Sequence, residues 1–349
     1  MKLSIAALLL IFVIYLLFFP AQTRPELTFQ PAWAVDVAGV PASAAGQIEH
    51  ASVFPFDLDS FFGYISYEGE VLLREEKLYG VAIDEKRYIS YSSVSGNLII
   101  QDRTGRVTAN VEAPGYPVLL NDRLFIVSTN RAGVSELVAG ERFGWEREYT
   151  SVITGFDAKG GLTAVGLLDS RVQILDGSGA VSLELDMKGS RINAVYGCAL
   201  SEDASRVAVV HGIDPQYLSI VEVAGESPEI SDYSLETEFR TSRYLRFFGA
   251  DRFLLIERAD GMKILDLSDG TEYLIESAAP FLDAGNIQNE NLIWAVFGNA
   301  RAAELIIIEP PQKVLFRSGL TSAPSAISKN EHIMLGLGDT LCTLKKEIH

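Results

Sequence analysis

The sequence predicts an all-β protein: a seven-bladed β-propeller closed by an N-terminal strand and preceded by one transmembrane helix. From Tyr79 onward one unit recurs, made of an apolar strand, a polar turn, a second strand, an Asp/Gly turn and a third strand. The middle strands of successive units begin about 36 to 46 residues apart, which is the span of a four-stranded blade. Almost no segment after residue 60 has a helical period of useful length, which disfavours an α/β fold.

Each repeat is marked by one apolar middle strand. These strands are Tyr88–Tyr91, Leu124–Val127, Leu162–Leu168, Val207–Val210, Phe253–Ile256, Leu292–Phe297 and Ile333–Leu337. Several are continuous apolar runs, which is typical of a strand whose two faces are both covered. A blade between two neighbouring blades meets that condition without helices. A pair of β-sandwich domains is the alternative, but no Pro/Gly/Ser-rich linker divides the region after residue 60.

We label the strands of a blade a to d from the central axis outward. The seven predicted blades are Val81–Glu112, Pro117–Tyr149, Ile153–Asp186, Ala194–Leu235, Tyr244–Ser277, Gly285–Arg317 and Ala326–Lys345. The last has only three strands, and Tyr64–Leu73 lies before the first with no blade of its own. We therefore predict that Tyr64–Leu73 pairs with the last blade and closes the ring, which removes two exposed sheet edges. Six or eight blades are the alternatives, because a drifting repeat is easily miscounted.

Turns between the outer strands resemble those of known propeller families. Three blades share an Asp/Gly turn, at Asp102–Val107, Asp176–Val181 and Asp266–Thr271. These turns resemble the Asp-x-x-Gly turn of bacterial quinoprotein-like and WD-repeat-like propellers. Leu200–Val209 resembles the Ser-Pro-Asp-Gly phrase of TolB-like propellers, with departures at Glu202 and Ala204. We expect Asp to cap each turn and Gly to supply a positive φ. The resemblance implies the fold and carries no function.

The N-terminus has the pattern of a membrane signal. Met1 and Lys2 precede Leu3–Phe19, which is 17 residues without a charge and just long enough to cross a bilayer. We predict a signal anchor, a transmembrane helix at residues 1–19. A cleaved signal peptide is the alternative, although Phe19 stands where a cleavage site prefers a small residue.

The flanking charges and the following segment extend this prediction. Lys2 precedes the span and Arg24 follows it beside Glu26, which weakly places the N-terminus in the cytoplasm. We therefore predict a single-pass protein of the bacterial cytoplasmic membrane whose globular domain faces the periplasm, or a secreted protein if the signal is cleaved. Residues 20–60 are rich in Pro and Ala and are predicted to be a tether. Residues 61–349 are assigned to the propeller domain.

Composition excludes several function classes. The net charge of −17 argues against nucleic acid, whose phosphates require clustered Lys and Arg. The two cysteines, Cys198 and Cys342, fall in different predicted blades and are expected to be free and buried. The four histidines show no metal-ligand spacing. Sialidase boxes, adjacent cysteines of quinoprotein dehydrogenases and nucleophile-elbow motifs are absent from the sequence. We predict no catalytic residue, no metal and no cofactor.

Six arginines are the candidate binding residues. Four lie in or beside predicted b–c loops: Arg131, Arg171, Arg258 and Arg301. Converging guanidinium groups would make an anion site at the channel mouth. The alternative is that they are solvated turn residues paired with neighbours such as Asp169 and Asp260.

The other two candidates, Arg240 and Arg243, lie in the basic and aromatic stretch Phe239–Phe248, at the d–a loop that enters the fifth predicted blade. Arginine beside Tyr and Phe at a loop is typical of a protein-binding hot spot. The alternative is that Tyr244–Phe248 is simply an innermost strand with its aromatic side chains in the core.

These observations favour a membrane-anchored, non-catalytic propeller that acts as a protein-binding scaffold in the bacterial envelope. We expect an unidentified protein partner and a monomeric propeller. The alternative functions are a propeller enzyme or a small-ligand (anion) binding protein with its site at the channel mouth, and a purely structural or adhesive role. The sequence does not name the partner, the ligand or the process.

Overall fold

The fold is an eight-bladed propeller. The computed structural model describes residues 27–40, 52–92, 96–139, 142–223, 228–235, 240–287, 291–299, 302–322, 324–329 and 332–348. Every regular element in this part of the chain is a strand, and the strands form eight antiparallel sheets. The predicted count of seven blades is therefore wrong by one. The seven predicted blades correspond to blades 2 to 8, and the additional blade precedes them.

The first four blades follow one another from the N-terminal side. Blade 1 contains β2 (Val53–Asp57), β3 (Phe61–Ser66) and β4 (Val71–Glu76). Blade 2 contains β5 (Gly80–Ile83), β6 (Arg87–Tyr91), β7 (Asn97–Asp102) and β8 (Val107–Glu112). Blade 3 contains β9 (Gly115–Leu120), β10 (Arg123–Ser128), β11 (Gly133–Ala139) and β12 (Arg142–Glu148). Blade 4 contains β13 (Ile153–Lys159), β14 (Leu162–Leu167), β15 (Arg171–Leu175) and β16 (Val181–Asp186).

The last four blades complete the ring. Blade 5 contains β17 (Ile192–Leu200), β18 (Arg206–Ile213), β19 (Gln216–Glu222) and β20 (Ile230–Leu235). Blade 6 contains β21 (Leu245–Phe248), β22 (Phe253–Arg258), β23 (Gly261–Asp266) and β24 (Glu272–Glu276). Blade 7 contains β25 (Phe281–Ile287), β26 (Leu292–Gly298), β27 (Ala303–Glu309) and β28 (Lys313–Leu320). Blade 8 contains β29 (Ser325–Lys329), β30 (His332–Leu337), β31 (Thr340–Ile348) and, as its outer strand, β1 (Leu27–Asp36).

An N-terminal strand closes the ring, but it is not the predicted one. β1 pairs antiparallel with β31, from Leu27 opposite Ile348 to Asp36 opposite Thr340. Tyr64–Leu73, which we expected to close the ring, instead covers parts of β3 and β4 in blade 1. β1 falls in the predicted tether because Pro31 interrupts its alternating pattern. The register shifts between Pro31 and Trp33, and an outer strand tolerates proline at such an irregularity.

β1 also ties blade 8 to blade 1 through one side chain. The indole N–H of Trp33 donates a hydrogen bond to the carbonyl of Tyr67, at 2.7 Å. The Trp33 ring covers Gly69, where a Cβ atom would lie 2.8 Å from the ring. Gly69 also has a φ of 90°, a conformation that favours glycine. The ring is therefore closed by a strand ladder and by a contact between neighbouring blades.

The predicted transmembrane helix at residues 1–19 lies outside the described residues. None of the residues that the structure does describe forms a helix of a length and apolarity that could cross a bilayer. That prediction depended on the apolar run Leu3–Phe19 alone. We therefore correct it: the signal anchor, the single pass through the membrane and the periplasm-facing location are not retained. Of the predicted tether at 20–60, residues 27–36 and 53–57 form strands β1 and β2.

The middle strands are covered on both faces, as predicted. Every residue of β26 is buried, and so are Phe253–Ile256 in β22. Aromatic rings meet between blades: the centroids of Phe125 in blade 3 and Phe156 in blade 4 lie 5.0 Å apart at an interplanar angle of 82°. Each blade is thus packed between its neighbours, and the interior needs no helices.

The repeated Asp/Gly turns have the expected geometry. The carboxylate of Asp102 accepts a hydrogen bond from the backbone N–H of Thr104 at 2.9 Å, and Asp176 accepts one from Ser178 at 2.8 Å. The glycines that follow have positive φ angles, 84° at Gly105 and 79° at Gly179. These caps stabilise the connections between outer strands.

Blade 3 contains a buried charged network. Both oxygens of Glu136 accept hydrogen bonds from the Arg123 guanidinium, each at 2.7 Å. The indole N–H of Trp145 also donates to Glu136, at 2.7 Å. Burial alone would raise the pKa of Glu136, but Arg123 and Trp145 hold it below its usual value. Since all three side chains depend on each other, loss of the carboxylate leaves buried donors without an acceptor.

The closing strand can be tested with a disulfide. Because the N–H of Val37 bonds to the carbonyl of Asp339, Ala34 and Cys342 form a non-hydrogen-bonded pair, in which side chains lie closest. Oxidised Ala34→Cys protein should contain a bond to Cys342 and gain about 2 to 4 kcal/mol in unfolding free energy over its reduced form. Peptide mapping detects the disulfide bond, and urea unfolding measures the change in unfolding free energy. The control is Val35→Cys, since adjacent strand residues face opposite sides. Equal cross-linking in both variants would contradict the closure.

The buried network predicts that alanine substitutions at two glutamates in neighbouring strands lower the free energy of unfolding by different amounts. Glu136→Ala should lower the free energy of unfolding by about 1 to 3 kcal/mol, because the buried indole N–H of Trp145 loses its acceptor, whereas the half-buried Arg123 keeps its hydrogen bond to the Leu162 carbonyl. Glu146→Ala, on the exposed face of β12, should change it by less than about 0.5 kcal/mol. Urea unfolding followed by tryptophan fluorescence makes the comparison, and similar losses in the two variants would refute the network's role.

Candidate functional site

The innermost strands of the blades surround a central channel. Its cavity has a volume of about 800 Å³ and is lined by residues of β9, β13, β17, β21, β25 and β29. This volume lies within the range of small-molecule sites. The channel exists because the innermost strand of each blade lies at the axis. Side chains far apart in the sequence therefore face one another across the channel.

Three charged side chains lie together in the channel wall. Asp157 is on β13, Arg246 on β21 and Asp283 on β25. The Asp157 carboxylate accepts hydrogen bonds from the backbone N–H groups of Leu200 and Ala158, both at 2.8 Å. Asp283 accepts one from the N–H that follows it, also at 2.8 Å. We call Asp157, Arg246 and Asp283 the channel triad.

The charges of the channel triad influence one another. Burial raises the pKa of Asp157, and the hydrogen bond from Leu200, the charge of Lys159 and, to a smaller extent, Arg246 oppose this rise. Burial likewise raises the pKa of Asp283, again opposed by Arg246. Burial by itself would lower the pKa of Arg246, but Tyr244, Asp283 and Asp157 outweigh this effect and raise it. The Arg246 side chain is exposed to solvent in the channel. With both carboxylates ionised, these three side chains have a formal charge of −1.

Other charges in the channel are neutralised in pairs. Arg243, one of the predicted binding residues, lines the channel, and its Nη1 atom lies 2.7 Å from Oε1 of Glu257. Lys159 lies 2.9 Å from Glu202. Arg240, the neighbouring candidate, is exposed and interacts electrostatically with Tyr196.

The b–c loop arginines stand apart from the channel wall. Arg171 pairs with Asp169 at 2.6 Å, and Arg258 pairs with Asp260 at 2.8 Å. Arg131 is exposed in the turn between β10 and β11. Of the described candidates, only Arg243 lines the channel. Arg301 lies outside the described residues.

Two of these arginines flank one ordered d–a loop, Tyr149–Val152. The carbonyl of Arg131 accepts a hydrogen bond from the N–H of Ile153 at 2.8 Å, and the N–H of Leu168 donates to the carbonyl of Val152 at 2.9 Å. Nη2 of Arg171 donates to the hydroxyl of Thr150 at 3.1 Å. The loop is thus held between the b–c turns of blades 3 and 4.

Apolar side chains are exposed on the same face. Val152 is 37% exposed, Leu168 is 47% exposed, and Ile192, at the start of β17 in the next blade, is 42% exposed. Arg191 precedes Ile192 and pairs with Asp214 at 2.8 Å. We define the Leu168 patch as these apolar and flanking basic side chains: Val152, Leu168, Ile192, Arg131, Arg171 and Arg191. Its apolar members resemble core residues at strand ends, so the sequence pattern did not indicate that they are exposed.

Neither a metal centre nor an activated thiol is formed by the described residues. Among them, no group of three or more His, Cys, Asp and Glu side chains is placed to hold a metal ion. Cys198 and Cys342, which we expected to be free and buried, are both free, but only Cys198 is buried and Cys342 is partly exposed. Cys198 lines the channel, but burial raises the pKa of its thiol far above the usual value. The thiolate that nucleophilic chemistry requires is therefore disfavoured.

The channel triad predicts a pH-dependent effect. Each aspartate binds its proton more tightly in the folded state, so its contribution to stability is full at low pH and is lost as pH rises through the raised pKa. Arg246 reduces that loss. Arg246→Gln should therefore lower the unfolding free energy at pH 7 by about 1 kcal/mol, a value limited by solvent screening in the channel.

The loss should be smaller at pH 4 than at pH 7, because the raised pKa of each aspartate increases its protonated fraction as pH falls. Urea unfolding at both pH values measures it, and Arg246→Gln combined with Asp283→Asn should be less affected at pH 7. An equal loss at both pH values would contradict the electrostatic explanation.

Comparisons with known proteins agree with this architecture. An uncharacterized protein of Treponema pallidum (strain Nichols) is 25% identical over 273 residues, which cover 75% of this chain and 71% of that protein. The crystal structure of BamB from Moraxella catarrhalis matches 91% of this chain and 100% of its own, with a TM-score of 0.62 and 13% identity. The computationally designed Ika8 protein matches 86% and 97%, with a TM-score of 0.60 and 10% identity.

The two structural matches show the fold alone, because their sequence identities are low. They confirm the propeller fold that the resemblance of the turns implied. A family model described as beta-propeller protein matches residues 1–345. The chain therefore belongs to the beta-propeller protein family that this model describes.

Proposed function

We propose that this protein is a non-catalytic scaffold that binds a protein partner through the Leu168 patch. The observation that carries the proposal is the combination of exposed apolar side chains with arginines on one loop-bearing face. Val152 and Leu168 are exposed and adjacent, joined by a backbone hydrogen bond. An apolar centre with arginine around it is typical of a protein interface.

Charge and rigidity support the same surface. The chain carries a net charge of −17, yet the Leu168 patch contains three arginines. Two of them, Arg171 and Arg191, already have acidic partners, so they are held in position by ion pairs. The hydrogen bonds that fix the Tyr149–Val152 loop reduce the entropy that binding would cost.

The alternative of an anion site or an enzyme in the channel has weaker support. Arg243 is paired with Glu257, and the charges of Asp283 and Asp157 act on Arg246. The channel triad has a formal charge of −1, which disfavours an anionic ligand. His211 is buried and hydrogen-bonded to Ser219 at 2.7 Å, and burial lowers its pKa. A neutral buried imidazole outside the channel lining does not provide a general base for a bound substrate.

Site-specific photo-cross-linking tests the proposal. A benzoylphenylalanine placed at Leu168 in the full-length protein in its native host should give a discrete cross-linked protein band. The same group at Val107, which is exposed on the outer strand β8, should not. Leu168→Asp in a protein carrying the cross-linker at Val152 should reduce the yield by about tenfold, because it places a carboxylate in the apolar centre. Equal cross-linking from positions 168 and 107 would overturn the proposal.

A further inference from the structure

The channel triad differs from the other charges in the channel wall. Among the described residues, Asp157, Arg246 and Asp283 form no direct ion pair, although their charges act on one another. The Arg246 guanidinium donates to the Tyr244 hydroxyl and the Ala284 carbonyl, over long distances of 3.4 and 3.5 Å. Its side chain is exposed in the channel. The channel triad can therefore still bind the charged groups of a ligand.

The remaining charged side chains of the lining are held in ion pairs. Lys159 lies 2.9 Å from Glu202, and Arg243 lies 2.7 Å from Glu257. The charge of Lys159 also acts on Asp157, but its ammonium group donates to the Glu202 carboxylate. With its carboxylates ionised, the channel triad therefore offers a ligand two negative groups and one positive group.

A tryptophan from a second strand reaches the same wall. Trp294 lines the channel although it belongs to β26, whereas β25 is the innermost strand of blade 7. Trp294 is paired with Gly285 of β25, and paired residues of neighbouring strands have their side chains on one face of the sheet. Because Gly285 has no side chain, the indole ring lies over it. A Cβ atom at Gly285 would be 2.5 Å from this ring and 2.8 Å from Nε1.

The indole N–H of Trp294 has no hydrogen-bond acceptor among the described residues. The side chain is 4% exposed, and a buried donor without an acceptor is costly. Nε1 lies beside Gly285, and Nη1 of Arg246 lies 3.5 Å from the carbonyl of the preceding residue, Ala284. The two donors therefore border the same peptide group of β25. We call Trp294 and the channel triad the axial site.

We propose that the axial site binds a basic amino acid, a small molecule with two cationic groups and one carboxylate. The ligand's carboxylate accepts hydrogen bonds from Arg246 and Trp294, and its cationic groups lie against Asp157 and Asp283. A ligand of net charge +1 balances the charge of the channel triad. The channel volume of about 800 Å³ accommodates a molecule of this size. The Leu168 patch lies outside the channel, so either proposal can fail without the other.

Calorimetry on the full-length protein tests the chemistry of the ligand. The basic probes are L-lysine and L-arginine. The comparison compounds are their decarboxylated counterparts, cadaverine and agmatine, and norleucine, which has no side-chain cation. The basic amino acid that binds more tightly should exceed its decarboxylated counterpart and norleucine by at least about tenfold. Each comparison compound lacks a group that forms charge-assisted hydrogen bonds in the axial site.

Two variants that lose the same charge locate the acidic groups. Asp283→Asn removes a carboxylate of the channel triad and keeps an oxygen that can accept from the N–H of Ala284. Glu146→Gln removes a carboxylate from the exposed face of the outer strand β12. Asp283→Asn should weaken binding of the basic amino acid by about tenfold, and Glu146→Gln should leave it unchanged. Circular dichroism checks that both variants are folded.

Trp294→Phe tests the contact with the carboxylate. This change removes the indole N–H and keeps an aromatic ring beside Gly285. It should weaken binding of the basic amino acid by about tenfold. The affinity for the decarboxylated counterpart should stay the same, because that compound has no carboxylate to accept the hydrogen bond. A merely structural role for Trp294 would change both affinities by the same factor, which would contradict the proposed contact.

Indole N–H signals in nuclear magnetic resonance spectra locate the bound amino acid. The chain has three tryptophans, and the indole groups of Trp33 and Trp145 already donate hydrogen bonds within the protein. The signal of Trp294, identified by its absence in Trp294→Phe, should therefore shift most when the ligand binds.

Four results would overturn the proposal. The first is that neither basic amino acid binds with a Kd below about 10 mM, which would mean that water alone fills the channel. The second is that norleucine or the decarboxylated counterpart binds as tightly as the basic amino acid. The third is that Asp283→Asn and Glu146→Gln have the same effect on binding. The fourth is that the Trp294 signal does not move.

Discussion

The pairing of β1 with β31 is the constraint on which the rest of the molecule depends. A propeller blade covers its apolar faces only with its two neighbours, so an open ring would expose one face of blade 1 and one face of blade 8. The strand ladder from Leu27 to Asp36 joins the two ends of the chain in one sheet. Trp33 then crosses to blade 1 and packs on Gly69. Every contact around the axis requires that these ends stay together.

The closed ring determines which residues meet at the axis. Asp157, Arg246 and Asp283 lie on three different blades and are well separated in the sequence, yet their charges interact across the channel. The same ring places the b–c and d–a loops on one face, where Arg131 and Arg171 flank the Tyr149–Val152 loop. In the channel, Arg243 and Lys159 are held in ion pairs, whereas that face carries exposed apolar area. Because of this contrast, we propose a protein rather than a small anion as the binding partner.

Most of the fold could be predicted from the sequence, because blades 2 to 8 each contain a mainly apolar middle strand, and three of them contain an Asp/Gly turn whose geometry is local. Blade 1 lacks such a turn and has three strands among the described residues, so its pattern indicated a single closing segment. β1 was missed because Pro31 breaks its pattern, and an outer strand needs no apolar alternation. Local pairs such as Arg171 with Asp169 were foreseen as an alternative. The interaction of Arg246 with Asp157 and Asp283 was not foreseen, because sequence spacing does not show which innermost strands face each other across the channel.

Hydrogen–deuterium exchange on the intact protein tests ring closure most directly, because it reports the stability of each strand separately. If β1 is an integral outer strand, the amides of residues 27–36 and 340–348 will be protected together, and they will lose protection with the other blades as urea is added. If residues 27–36 exchange at the rate of an unfolded peptide while blades 2 to 7 remain protected, β1 does not close the ring, and the dependence of the fold on the β1–β31 ladder is contradicted.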